Sequence, residues 1–360
     1  MRSVSRGLAM AFPISASLSH GMSRCCLRCH HAKSDFASPP DLIVIRRFNS
    51  AVTTDSLFTL LQLASLIALV LRGTGSAQAE GTGRAIQAEN KSVRVATRQE
   101  GELTHFLARN DELCEVTMTF EMAMSNLKGS VDFPCTVTLP PGEEVETFTL
   151  APIEPGAKWE YSYTNFYKLG SQCAKHDETY VYQLPYAPGN EFKVTQSFNG
   201  TFSHKGSNKY AVDWKMPEGT PVRAARGGTV VKVKDGSDKG GSSLKYDPFN
   251  NYVLIRHDDA TLGQYCHLHK NGALVKPGQV VKPGDLIALS GNTGFSSGPH
   301  LHFCVFKTRN GRERESIPIR FRTTDDWSAL LLTGHRYKAP VQNASLSAAA
   351  QAGGQGAAVQ

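Results

Sequence analysis

No apolar run in this chain of 360 residues is long enough to cross a bilayer as a helix. The longest mostly apolar stretch, Leu57 to Leu71, has fifteen residues, whereas a spanning helix needs about 20. Net charge is scarce in the part expected to fold. Residues 1–79 carry eight Lys/Arg and three Asp/Glu, and the remainder carries 31 and 29. The formal charge of +7 therefore sits mostly at the front of the chain. That leaves no basic footprint for nucleic acid in the folded part. From Phe192 onward no amphipathic helical period is convincing, which points away from a helical or α/β domain there. Cys25, Cys26 and Cys29, with His30 and His31, form a cluster without a second half-site, so they do not make a metal ribbon.

The front segment reads as a secretory leader. A mostly apolar core of fifteen residues suits a signal peptide, and Ala77-Gln78-Ala79 supplies a small-x-small cleavage site. The mature chain is then expected to begin at Glu80, in the periplasm or outside the cell. Membrane contact is expected only if the segment stays uncleaved. No cysteine stands at the cleavage site, so a lipid-anchored form is not expected. Arg46 and Arg47 lie well before the apolar core, with Asp55 between, so the natural start is expected nearer Val52. Five cysteines follow the leader, and an exported compartment permits disulfides. Cys114 with Cys135 is the expected pair, and Cys304 is expected to be a buried core thiol.

Past the leader the pattern is β. Within 80–184, short runs rich in Val, Thr, Phe and Tyr recur: Glu115 to Phe120, Cys135 to Leu139, Val145 to Leu150 and Thr179 to Tyr182. Pro140-Pro141-Gly142 and Pro155-Gly156 break them as turns. Strict alternation places Val145, Thr147 and Thr149 on one face of their strand. A small accessory β-sandwich is expected. The second unit, 185–335, shows strands at Phe192–Phe198, Thr229–Lys234, Tyr252–His257, Gly263–Leu268, Leu286–Ser290 and Leu301–Lys307. Asp235 to Asp247, rich in Gly, Ser and Lys, reads as a mobile loop. The tail 336–360 is Ala, Gly, Gln and Ser in its greater part and is expected to be disordered. The fold class is all-β.

The chemistry concentrates in Gly298-Pro299-His300-Leu301-His302-Phe303. Histidines two apart on a strand face the same way, so both imidazoles can enter one cleft. One can bind a metal while the other stays free. His204 and Asp213 lie upstream, and two His with one carboxylate can hold a zinc ion with a position left open. His267-Leu268-His269 is a rival pair with the same spacing. His257 and His269 read as solvated residues near strand ends, His176 as a solvated turn residue, and Arg223 as exposed. Asn251 is a candidate for shaping the cleft.

Five segments carry a family resemblance. They are His204-Lys205-Gly206 with Tyr210-Ala211-Val212-Asp213; Met216 to Ala225; Asn251 to His257; Tyr265-Cys266-His267-Leu268; and Leu289 to Gly294 running into Gly298 to Phe303. Together the region from about Lys193 to Lys307 resembles the lysostaphin-type (LytM-like) zinc peptidases, which cut peptidoglycan. The resemblance implies an antiparallel β-fold of the duplicated hybrid motif type and one zinc per chain. It implies ligands at His204, Asp213 and His302, and catalytic roles for His267 and His300. It further implies an endopeptidase acting on peptidoglycan stems or cross-links. Eight residues separate His204 from Asp213, where many members have three, so a longer loop is expected there. Two rival readings remain. A non-catalytic wall-binding or hydrolase-activating relative typically lacks some of these five residues, and this chain has them all. A lipoyl- or biotinyl-like carrier is suggested by the Val-Lys-Pro-Gly echo at Val275 and Val281, but no Met-Lys-Met-like attachment turn is present.

Overall fold

A computed structural model describes residues 81–85 and 92–341, and apart from short 3-10 turns their regular secondary structure is all strand. The expectations for the leader, the Cys25 cluster, the cleavage site and the tail from 342 onward lie outside the described residues, whereas the tail expected to be disordered from 336 begins as a strand, Arg336–Lys338, paired antiparallel with Glu191–Gln196.

The accessory unit is a sandwich of two four-stranded sheets. One runs Gly81–Ala85, Trp159–Leu169, Val116–Ser125, Cys135–Leu139. The other runs Val93–Glu100, Leu103–Asn110, Glu144–Pro152, Leu127–Gly129. Alternating apolar side chains from both sheets close on a core that includes Phe106, Met118, Phe120, Phe148 and Leu150. Phe106 and Phe148 stack across it at 4.5 Å. Alternation failed at one point. Phe106 pairs Phe148 but Leu107 pairs Glu146, so Thr147 forms a bulge. The extra residue flips the phase, and Val145 packs on the core with Phe148 while Glu146 faces solvent. The expected Cys114–Cys135 bridge is not formed: Cys114 is a free, buried thiol, which burial pushes up to about 12.

The second unit is built on a nine-stranded sheet. Its order is Val280–Val281, Gly228–Lys234, Tyr252–Arg256, Leu262–Cys266, His300–Thr308, Val212–Lys215, Glu191–Gln196, Arg336–Lys338, with Arg314–Ser316 beside His300–Thr308. The strand expected at Thr179 to Tyr182 pairs here instead. Val181–Gln183 runs parallel to Arg320–Arg322, and Tyr182 is fully buried in this unit's core. Asp235 to Asp247 is more structured than its composition suggested. Gly240–Gly241 pairs with Gly294–Phe295, and Leu244–Phe249 is a 3-10 turn.

The two faces of this sheet do different things. Along His300–Thr308, Leu301, Phe303 and Val305 enter the main core with Val253, Ile255 and Tyr265. His302, Cys304 and Phe306 alternate onto the other face. Phe306 there meets Val231, Leu254, Leu262 and Cys114 in a small apolar cluster joining the two units. Fully burying a Leu- or Phe-sized side chain contributes roughly 1.5–3 kcal/mol, so this patch is a substantial contact. Its rim is charged: Arg256 grips Glu115 through Nε at 2.7 Å and Nη2 at 2.5 Å, and Lys232 lies 3.2 Å from Glu112. One sheet face thus carries the accessory unit at one end and histidines at the other.

Candidate metal centre and active site

Asp213 and His302 stand directly opposite each other on neighbouring antiparallel strands. Their side chains share a face, and His302 Nδ1 lies 2.8 Å from Asp213 Oδ1. His204 arrives from the loop after Glu191–Gln196. Its Nδ1 donates to the Ser197 carbonyl at 2.8 Å, which leaves Nε2 as the free ring nitrogen. That Nε2 is buried, has no hydrogen-bond partner, and sits 3.1 Å from Asp213 Oδ2 without hydrogen-bonding alignment. A buried polar atom without a partner is costly, and a cation would satisfy it. One ligand atom from each of His204, Asp213 and His302 falls within a 4.8 Å span, and the three could hold a metal ion. Two imidazoles and a carboxylate form a donor set that suits zinc.

The long stretch between His204 and Asp213 is a folded turn. Gly206–Asn208 is a 3-10 segment, Asn208 Oδ1 accepts from Arg314 Nη2 at 2.7 Å, and the Tyr210 N–H donates to Ser316 Oγ at 3.1 Å. The extra residues are anchored on the neighbouring strand, so they do not displace Asp213.

His267 and His300 flank this group, with ring centroids 4.5 Å apart. His300 Nδ1 lies 2.8 Å from the Gly298 carbonyl, and Ser296 Oγ is 3.1 Å away. His267 is reached differently. It has φ +62, between strands Leu262–Cys266 and Leu268–Ala273. Its N–H donates to Asn250 Oδ1 at 2.9 Å, and its Nδ1 lies 2.7 Å from the Thr293 carbonyl. Buried Asn251 supports the same corner by donating to the Ser237 and Leu268 carbonyls. With Nδ1 of both rings on a carbonyl, Nε2 is in each case the nitrogen left to accept a proton.

Burial would raise the Asp213 carboxyl, but His302 and His204 beside it outweigh that and hold it well below the usual range. Burial, then the charges of His300 and His302, lowers His267 to about 3. Burial also lowers His302, against the pull of Asp213. The imidazoles of His267 and His302 are thus neutral near pH 7, as ligation or proton acceptance requires.

A cleft of about 770 Å³ opens over Asp213, His267, His300 and His302. Among the described residues its lining runs from Thr195 to Thr333, with nothing from the accessory sandwich. Gln196 is a residue that sequence reasoning missed. Its Nε2 donates to Asp213 Oδ2 at 3.0 Å and to Ser203 Oγ at 2.8 Å, and its Oε1 accepts the N–H groups of Phe202 and Ser203. It ties the Asp213 carboxylate to the rim, where exposed Phe202 stacks on Phe295 at 5.7 Å. No local motif could have marked it, since it lies on another strand from Asp213.

Three other expectations are corrected. His257 is fully buried rather than solvated, with Nδ1 2.8 Å from the Gly227 carbonyl. Arg223 is half-buried, its Nη1 donating to the Gly284 carbonyl at 2.7 Å. His176 is half-buried, its Nε2 3.3 Å from the Tyr182 hydroxyl. His269 is exposed, as its sequence context suggested.

Comparison with known proteins follows the same segment. Residues 207–315 match the model described as Peptidase family M23, so the chain carries a domain of that family. The match includes Asp213, His267, His300 and His302 and begins just after His204. An uncharacterized metalloprotease of Haemophilus influenzae is 43% identical over 119 residues, 33% of this chain and 21% of its own length. The peptidoglycan DD-endopeptidase ShyA of Vibrio cholerae is 35% identical over 122 residues, 33% of this chain and 26% of its own. Lysostaphin of Staphylococcus simulans is 40% identical over 116 residues, 32% of this chain and 22% of its own. The chain thus spans about a quarter of the length of these curated relatives. The solved catalytic domain of lysostaphin from Staphylococcus simulans aligns at 26% identity with a TM-score of 0.25, covering 35% of this chain and 87% of that one.

Proposed function

We propose that this protein is an exported zinc metalloendopeptidase that hydrolyses peptide bonds in peptidoglycan stems or cross-links. The observation that carries the reading is the convergence of five side chains. His204, Asp213 and His302 form one ligand-competent group, and two more imidazoles stand beside it with Nε2 free. The M23 domain and the endopeptidases among its relatives support the reaction class.

His204, Asp213 and His302 would hold the metal. When bound, zinc supplies a Lewis acid that activates a water molecule for attack on the scissile carbonyl. His267 and His300 are the acid–base pair. One accepts the water's proton at Nε2 and, as the imidazolium, hands it from the same atom to the leaving nitrogen; the other faces the oxyanion and donates to it only when its own Nε2 is protonated. Their Nδ1 contacts to the Thr293 and Gly298 carbonyls fix the tautomer and the ring plane. Gln196 keeps the Asp213 carboxylate turned toward the two ligand histidines. Export to the periplasm or the exterior rests on the Leu57 to Leu71 run and the Ala77-Gln78-Ala79 site.

The test is digestion of purified peptidoglycan by the zinc-loaded protein, with products read by mass spectrometry and His302→Ala alongside. New peptide ends made only by the unsubstituted protein are expected, and they identify the bond. Zinc-loaded protein that leaves several wall types intact would mean that the chain is a binding or activating protein instead.

A further inference from the structure

The charge distribution of the cleft is uneven. Among all its lining residues, only Asp213 and Lys215 carry a fixed formal charge. Asp213 is turned into the ligand group. Lys215 is exposed, and among the described residues it forms no ion pair or hydrogen bond through its side chain. It ends the strand Val212–Lys215, two residues from Asp213, so both side chains lie on the cleft face. Its register partner across the sheet is His300. Directly opposed residues on antiparallel strands have Cα atoms about 4.5–5.5 Å apart, so the Lys215 and His300 side chains leave the sheet side by side on the cleft wall that both line. The rest of the wall is neutral: hydroxyls of Thr195, Ser296 and Ser297, the Gln196 amide, and the Phe202–Phe295 rings.

A divalent ion held by two neutral imidazoles and one carboxylate leaves net positive charge at the site. An unpaired ammonium on the same wall adds to it, and a cleft with walls of one sign concentrates ligands of the other. On the reading that this is an endopeptidase, we infer that Lys215 is a specificity residue that pairs with a free carboxylate on the residue flanking the scissile bond. The substrate class is then an anionic peptide cross-link, in preference to an uncharged glycine bridge. Nothing in the hydrolysis requires the ammonium, so its effect falls on substrate binding.

The test uses the zinc-loaded protein and two synthetic cross-linked peptides that differ in one group. One has a carboxylate and the other a carboxamide on the carbon attached to the scissile nitrogen. Because the ammonium is exposed, a preference of about fivefold in kcat/KM for the carboxylate is expected, the upper range for exposed pairs. It should be expressed in KM, fade as salt is raised, fall toward unity in Lys215→Met and persist in Lys215→Arg. Equal rates on the two peptides, or the same preference in Lys215→Met, overturn the inference and leave the endopeptidase intact. Cleavage of neither peptide counts against the endopeptidase reading itself. Calorimetric binding of the two peptides to metal-free protein then decides on Lys215 alone, and equal affinities overturn the inference.

Discussion

The chain contains His-x-His twice, and the two copies have opposite fates. His300 and His302 lie in one unbroken strand and both line the cleft. His267 and His269 straddle a break. His267 lies between two strands at φ +62, so it points into the cleft while His269 is exposed on the next strand. The rule that i and i+2 share a face holds only while the backbone stays extended. A single left-handed residue cancels it, at a position where a side chain other than Gly or Asn is uncommon. His267 keeps that conformation because Asn250, Asn251 and Thr293 hold its backbone, its neighbour and its ring.

The largest effect that separates the two pairs is expected at His302. His302→Ala should abolish metal binding and turnover together, read as metal content and peptide release. Next come His300→Ala and His267→Ala, which should keep the metal while lowering turnover by roughly 10²–10⁴-fold, the range of an acid–base group. Loss of metal in either variant would move that residue into the ligand set. His257 sharpens the contrast between buried and functional imidazoles. Burial lowers it to about 4 from an ordinary 6.5, so the folded protein holds it neutral while the unfolded chain protonates. Its contribution is present above pH 6.5 and is lost as pH falls toward 4, by up to about 3 kcal/mol at roughly 1.4 kcal/mol per pH unit. Urea unfolding should therefore show a steeper acid fall for the unsubstituted protein than for His257→Gln. Parallel profiles would contradict it.

Smaller still is the expected effect of Gln196→Ala, a loss of about 10–100-fold in metal affinity from releasing the Asp213 carboxylate. Competition with a chelator measures it, and an unchanged affinity would show that Asp213 needs no brace. His269→Ala, in the exposed half of its pair, should leave stability and turnover within about twofold.

Much of the fold was legible because apolar alternation is local. Leu286–Ser290 fell on the expected residues, and five other strands of the second unit lay within a residue or two. Misses came where a non-local fact intervenes. The Thr147 bulge reverses the faces of Glu144–Pro152, and its cause is the register against Leu103–Asn110. Val181–Gln183 finds its partner about 140 residues later, at Arg320–Arg322. His257 stands in polar company along the chain, yet a polar neighbourhood in sequence says little about packing in space. The Tyr182 ring lies 6.0 Å from it and the Gly263 backbone faces its Nε2.

By itself the sequence determined the β character, the two apolar cores and the inventory of reactive side chains, because each depends on residue type and short-range period. The tertiary structure decided which of those side chains meet. Asp213 and His302 are 89 positions apart, and they become partners through strand register. His267 joins them through a left-handed corner, and Gln196 through a hydrogen bond from a neighbouring strand. Contacts of that kind depend on backbone placement across the sheet, to which the local period of the chain is blind.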